Sequence, residues 1–296
     1  MPRSIDPSLE EDFTPVINPL EVKDKSRRNI EIVTNQLINV IEETMPKSSD
    51  FTPQMATILA PCLSVLLRKG NATFVDLLRF MEYGKNDDLV ELGLKSPYPN
   101  ERNFFANLFN AKEYNISKRS ISTRIHSLIN IGSFFNLTCG KSTIDIEEAM
   151  NSGKVIVVNL SKSSLDERVV PVFGRFLVAM MLGFAFKRGR KKEELREHTF
   201  LFIDECQNFV SPSVATILDE ARKFGLHLLL INQFIRQIDD TKMMDAMKTN
   251  TGIKIFGKNH AEHFHFFTRS IGISEEEFAT LNAFEFFIKA GDRPPI

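Results

Sequence analysis

The sequence predicts an α/β fold: a parallel sheet with helices on both faces, interrupted by an all-α insertion. Three observations carry this. Lys154-Val155-Ile156-Val157-Val158-Asn159-Leu160 is a continuous apolar, β-branched run, the pattern of a strand covered on both faces. Phe200 to Ile203 and Leu226 to Asn232 are two more apolar runs with one helical stretch between them, the alternation that winds a parallel sheet. Between about residues 50 and 135 the apolar spacing is helical throughout, with no strand signal and no internal repeat.

Taken in order, residues 1 to 24 are rich in Pro and acidic side chains. They read as a connecting segment on a domain edge, with one apolar piece at Pro15-Val16-Ile17-Asn18-Pro19-Leu20. Ile30, Val33, Leu37 and Ile41 give helical spacing over 26–45, and Pro46 stops it. A second helix runs from Pro53 to Leu67 and ends at Gly70; a third spans Thr73 to Met81, with Asp76 as its early-turn charge. Asn86 to Ile131 stays helical, with a break at Pro97 and Pro99. After the strand at 154–160 come a helix from Val169 to Arg188, the strand 200–203, a helix over 211–224 and the strand 226–232. A helix over 240–248 and a strand from Gly252 to Phe256 follow. The expected division is a sheet-bearing core of residues 1–50 and 136–296, with 51–135 as the insertion.

The 296 residues suffice for a large core, and 43% apolar with 25% charged residues is ordinary for a globular chain. A net charge of −1 supplies no global field for nucleic acid, so any such contact must be local. Three scattered cysteines, Cys62, Cys139 and Cys206, suggest neither a disulfide framework nor a zinc site and fit a reduced, cytoplasmic setting. Met1 to Asp6 lacks the apolar stretch of a signal peptide, and Val172 to Phe186, interrupted by Arg175, reads as too short for a bilayer span.

The strand 200–203 delivers Asp204 and Glu205 to its C-terminal end, and the next strand ends in Gln233. Ligands on parallel sheets gather at those ends. The trio suits a nucleotide-driven motor: Asp204 to hold the water shell of Mg²⁺, Glu205 to polarise attacking water, Gln233 to sense the γ-phosphate. The plainer alternative is a buried strand closing in a solvated acidic turn.

The run from Phe200 through Gln207-Asn208-Phe209 and Glu220-Ala221-Arg222-Lys223 to Asn232-Gln233 resembles the ATPase core of the conjugative coupling proteins, the DNA pumps of plasmid transfer and type IV secretion. Upstream, the Asn18-Pro19-Leu20 turn, the helical insertion and the strand within Gly153 to Ser161 follow the same order. The resemblance implies a RecA-like P-loop NTPase sheet. It implies ATP and Mg²⁺ as cofactors of the complete motor, with Asp204 as the metal-side residue, Glu205 as base and Gln233 as sensor. Arg222 and Lys223 would face a neighbouring subunit's nucleotide, although two cations at a helix C-terminus beside Gly225 need no such role. DNA and identical subunits in a hexamer are the implied partners, with relaxosome or secretion-channel proteins beside them. The implied location is the cytoplasm, at the inner membrane face in a full-length form anchored by an N-terminal segment that this chain lacks.

Two departures stand out. The motif G-x-x-x-x-G-K-[ST] is absent; Gly140-Lys141-Ser142-Thr143 imitates its tail, but Phe135 occupies the place of the first Gly and an acidic stretch follows. The family's loop lies upstream of the Asn-Pro-Leu turn, so the expectation is an N-terminally truncated or split motor, or a degenerate one that binds Mg-ATP weakly or not at all. Where relatives end a strand in Phe-Arg, this chain has Phe256-Gly257-Lys258, and Lys258 is a poorer clamp for phosphate than Arg. A non-hydrolysing scaffold or partner-binding subunit, and a related secretion or packaging ATPase with protein cargo, are the alternatives. Lys187 to Lys192 reads as a solvated helix end rather than a nucleic-acid contact. His260, His263 and His265 with Glu262 read as part of a packed helix rather than a metal cluster, and Phe278, Phe284, Phe286 and Phe287 as core.

Overall fold

The computed structural model describes residues 3–7, 14–44, 51–82, 84–161, 165–233, 238, 241–259, 264, 268 and 271–296. Among these residues six strands form three pairs. β1 (Arg3–Ile5) runs parallel to β2 (Ile156–Val158), and β3 (Thr199–Ile203) parallel to β4 (Leu226–Leu230). β5 (Ile253–Gly257) is antiparallel to β6 (Phe286–Ala290).

Two of these strands depart from expectation. The Pro-rich lead is not only a connector: three of its residues pair with β2, a length too short to show periodicity. The Phe-rich tail is core only at its beginning. Phe278 is buried and Phe287 partly so, but Phe284 is 94% exposed and Phe286 lies on the outward side of β6.

The helices begin and stop where local chemistry dictates. α1 (Arg27–Glu43) precedes α2 (Pro53–Lys69), in which the Thr52 hydroxyl accepts from the Met55 N–H and Gly70 ends the helix at φ 72°. Pro46 falls outside the described residues. α3 (Phe74–Met81) opens on a reciprocal box in which Thr73 and Asp76 satisfy each other's backbone N–H groups. α4 (Asp87–Leu94) and α5 (Pro99–Asn103) follow, and a π-helical turn over Phe104–Leu108 continues α5. α6 (Asn115–Ile129), α7 (Gly132–Thr138) and α8 (Ile146–Asn151) lead back to β2.

α9 (Val169–Lys187) is apolar on nearly every side because it is the central helix of the core. It packs against α1 and against α10 (Pro212–Glu220). With its extension to Arg190 it is long and apolar enough to cross a membrane, contrary to the expectation from length, yet most of it is covered by protein. Gly183 permits the close crossing of α1, where a Cβ would meet the Gln36 amide oxygen at 2.8 Å. Arg175, the charge inside this apolar helix, pairs with Glu43 at 3.2 Å. Phe74, Phe134 and Phe176 cluster with ring centroids 5.2–5.6 Å apart, tying α3 and α7 to α9.

The strands are not covered on both faces. Phe200 and Phe202 of β3 are 60% and 64% exposed, and Val155, Val157, Leu229, Ile231, Ile253 and Ile255 are exposed as well. The residues between them are buried or half-buried, so one side of these strands is open. α11 (Thr241–Asn250) connects β4 to β5, and α12 (Glu275–Ala279) precedes β6.

Candidate functional site

Asp204, Glu205 and Gln233 converge at the C-terminal end of the β3–β4 pair. Register places Thr199 beside Leu226 and Ile203 beside Leu230. Beyond it, the Ile231 N–H donates to the Ile203 carbonyl (3.0 Å) and the Cys206 N–H to the Ile231 carbonyl (2.9 Å). The turn after β3 is thereby fastened to the end of β4.

Glu205 adopts φ 49° and ψ 46°, a left-handed conformation that costs a non-glycine residue about 1–2 kcal/mol and concentrates at functional sites. Local bonds hold it there. Its N–H donates to Asp204 Oδ1 (2.9 Å), and its carbonyl accepts from the Asn208 N–H (3.0 Å) and Asn208 Nδ2 (3.1 Å). Its carboxylate accepts from Gln207 Nε2 at 2.5 Å through one oxygen and from Gln233 Nε2 at 2.6 Å through the other. Gln207 and Asn208 belong to the motif that carries the resemblance, but sequence alone assigns them no role. Spacing does not reveal that a residue two positions on folds back onto the carboxylate.

Asp204 is exposed, and its Oδ1 is engaged by the turn. One carboxylate with its second oxygen facing solvent fits a hydrated Mg²⁺, which keeps most of its waters and arrives with phosphates. Among the described residues no three His, Cys, Asp or Glu side chains converge into a cage. Between these groups, burial pushes the Cys206 thiol up to about 11, with the neighbouring carboxylates adding to it. That thiol is packing, not a nucleophile.

The cations divide between the two ends of the strands. Lys258 is exposed directly after β5, and its neighbour Asn259 donates to the Gln233 carbonyl (3.3 Å), which brings it to the Asp204 end. Arg222 and Lys223 lie in the 3₁₀ turn Ala221–Phe224 that enters β4, hence at the opposite end. There the Gly225 N–H donates to the Arg222 carbonyl, and Lys223 Nζ lies 3.4 Å from Glu220. Both line a groove with Glu193, His198, Asp219, Glu220 and His227.

Gly140 to Thr143 is stitched to the Asn-Pro-Leu segment. The Ser142 hydroxyl accepts from the Asn18 N–H and the Thr143 hydroxyl from the Val16 N–H, both at 3.0 Å, while the Ser142 N–H donates to Glu21 (2.7 Å). Asn18 is itself buried, donating to the Ala72 and Gly140 carbonyls. In the basic run, Lys187 pairs with Glu147, Arg190 with Asp24 and Lys191 with Glu197. Arg188 is buried among carbonyls. Internal partners thus absorb most of that charge. His260, Glu262, His263 and His265 lie outside the described residues.

Residues 198–283 match a family model described as the TraM recognition site of TraD and TraG. No curated protein matches the chain by sequence. Among solved structures, the fold resembles bacterial conjugative coupling protein TrwBdeltaN70 in complex with sulphate, at 14% identity and a TM-score of 0.68; the match covers 99% of this chain and 72% of that one. It resembles plasmid coupling protein TrwB in complex with ADP and Mg²⁺ at 15% identity and a TM-score of 0.67, with the same coverage. VirB4 of Thermoanaerobacter pseudethanolicus matches at 15% identity and a TM-score of 0.62, over 100% of this chain and 75% of that one. The resemblance to conjugative coupling and type IV secretion ATPases thus holds by family model and by fold, and the fold class is the α/β, RecA-like one the strands predict.

Proposed function

We propose that this chain is part of an ATP-driven DNA translocase of the conjugative coupling type, acting as a homo-hexamer. One observation carries the reading: Glu205, held in a left-handed turn at the end of β3, is joined at 2.6 Å to Gln233 at the end of β4. A general base must be within hydrogen-bond reach of its proton, and the water it activates must be oriented. In this reading Glu205 accepts a proton from attacking water, Asp204 holds the hydrated Mg²⁺ and Gln233 responds to the γ-phosphate. Bound Mg²⁺ would supply charge neutralisation on the phosphates. Lys258 lies on the same side and serves the nucleotide; Arg222 and Lys223 serve a neighbouring subunit's site. Residues 51–135 form the inserted helical unit of this motor.

The lack of a G-x-x-x-x-G-K-[ST] sequence leaves the 296 residues without backbone donors around the β- and γ-phosphates, so on their own they bind Mg-ATP weakly. DNA is the cargo, and the match to the TraM recognition model supports a relaxosome protein as a further partner. DNA-stimulated ATP hydrolysis by an assembly containing this chain, compared with its Glu205→Gln form, tests the assignment. A loss of about 100-fold or more is expected; an unchanged rate would sink it.

A further inference from the structure

We propose that Gln207 is a positioning residue: it anchors one oxygen of Glu205 while Gln233 holds the other, so the carboxylate rests in a two-amide clamp that opens only on the Gln233 side. The two donors sit at similar distances, 2.5 and 2.6 Å, but are mounted differently. Gln207 is partly buried in the turn that Asn208 and the Cys206–Ile231 backbone bond close, two residues before Phe209, whose ring fills the space beside Gly174 of α9.

The amide oxygen of Gln207 is buried and has no hydrogen-bond partner among the described residues. A buried acceptor without a partner is destabilising. Reversing the amide would turn that oxygen toward the carboxylate, which is worse, so the charge-assisted bond to Glu205 fixes its direction. Gln233 is exposed beyond the end of β4, where its carbonyl accepts from Asn259. Its side chain is the one free to leave.

The consequence is an asymmetric release. An anionic ligand at the strand ends that draws the Gln233 amide away frees one carboxylate oxygen for water, while Gln207 keeps the other and thereby the direction of the group. The clamp is independent of the proposed function, but its use in hydrolysis rests on that reading of Glu205.

The side-chain amide resonances of the ¹⁵N-labelled chain test it directly, with Gln207 and Gln233 assigned through their alanine variants. Glu205→Ala is expected to shift both NH₂ pairs. Glu205→Gln, which keeps the shape but offers one acceptor oxygen, is expected to release one of them. A Gln207 pair that stays in place in both variants, with an unchanged urea midpoint, overturns the clamp. In a hydrolysing assembly, Gln207→Ala is expected to lower kcat about 10- to 100-fold with KM unchanged; an unaltered kcat overturns the positioning role. If no assembly hydrolyses ATP, the proposed function fails, and the amide resonances alone decide the clamp.

Discussion

The ring of Phe209 occupies the space that a side chain on Gly174 would need: a Cβ there would stand 2.3 Å from two ring carbons. The residue that closes the Glu205 turn is therefore seated directly on the central helix α9. Gly174→Ala forces the ring out and is expected to destabilise the chain by about 1–3 kcal/mol. Urea denaturation measures this. The same substitution should disturb the Gln207 and Gln233 amide resonances, because the turn loses its seat.

Arg188 is expected to be the most costly single charge to remove. Its guanidinium donates to the Glu197, Gly225 and Met150 carbonyls, the Thr199 hydroxyl and the Asn151 amide oxygen, joining α8, α9 and the entries of β3 and β4. Gly225, at φ 76°, leaves room for no side chain: a Cβ there would stand 2.3 Å from the Glu197 carbonyl oxygen that Arg188 bonds. Arg188→Met takes the guanidinium from the Glu197 carbonyl and the Asn151 amide oxygen, while the Gly225 and Met150 carbonyls keep Thr199 as a partner, at about 3 kcal/mol or more. Arg188→Lys should recover little, since a point charge cannot reach five acceptors. Thermal unfolding of the two variants checks both statements.

Stability should fall on mild acidification through the His198–His227 pair. The rings lie edge to edge, with Nδ1 of His198 2.8 Å from Nε2 of His227, a bond that requires one nitrogen without a proton. Burial, then the His198 and Arg222 charges, hold His227 below the usual imidazole range in the folded chain. The unfolded chain then binds more protons as pH falls through about 6.5, so stability is lost below that value until the folded pKa is passed. Glu193, Asp219, Glu220, Arg222 and Lys223 face the same groove and are common to wild type and variant. The urea midpoint should drop between pH 8 and pH 5.5, and His227→Phe should narrow the drop.

The open side of β3 and β4 should bind a hydrophobic dye. Phe202 stands opposite Leu229 and Phe200 opposite His227, with the Phe200 and His227 rings 4.9 Å apart, so the apolar area is continuous across the pair. Replacing both Phe200 and Phe202 by Thr should lower dye fluorescence strongly. Because both side chains are mostly exposed, the urea midpoint should stay close to that of the wild type.

The sequence makes the helices and the chemistry of β3 and β4 legible because each writes a long period or a sharp apolar-to-acidic edge. Asp204, Glu205 and Gln233 needed only alternation and spacing to be placed at one end of a sheet. β1 was illegible because three residues carry no period, and β6 because its phenylalanines read as core whether or not anything covers them. The exposure of Val155 and Val157 follows the same logic: a β-branched run records what a strand tolerates on each face, not what lies against it. The Gln207 bond depends on the left-handed backbone at Glu205, which an Asp-Glu-Cys sequence gives no reason to expect. The placement of Arg222 and Lys223 at the far end of β4 follows from where Gly225 ends the turn, and it separates them from their own chain's Glu205.

The pairing of Cys206 with Ile231, and of Ile231 with Ile203, makes tolerance to insertion and deletion sharply uneven along this stretch. Lengthening the exposed connection between α9 and β3, at Lys192 to Leu195, leaves the site intact, since it lies at the opposite end of β3 and no bond between Glu205 and Gln233 runs through it. Removing a single residue between Leu226 and Gln233 would instead turn alternate side chains to the opposite face and carry Gln233 away from Glu205. Homologues that keep this pair should therefore vary freely in connector length, yet hold a fixed count of residues from the start of β4 to its terminal glutamine.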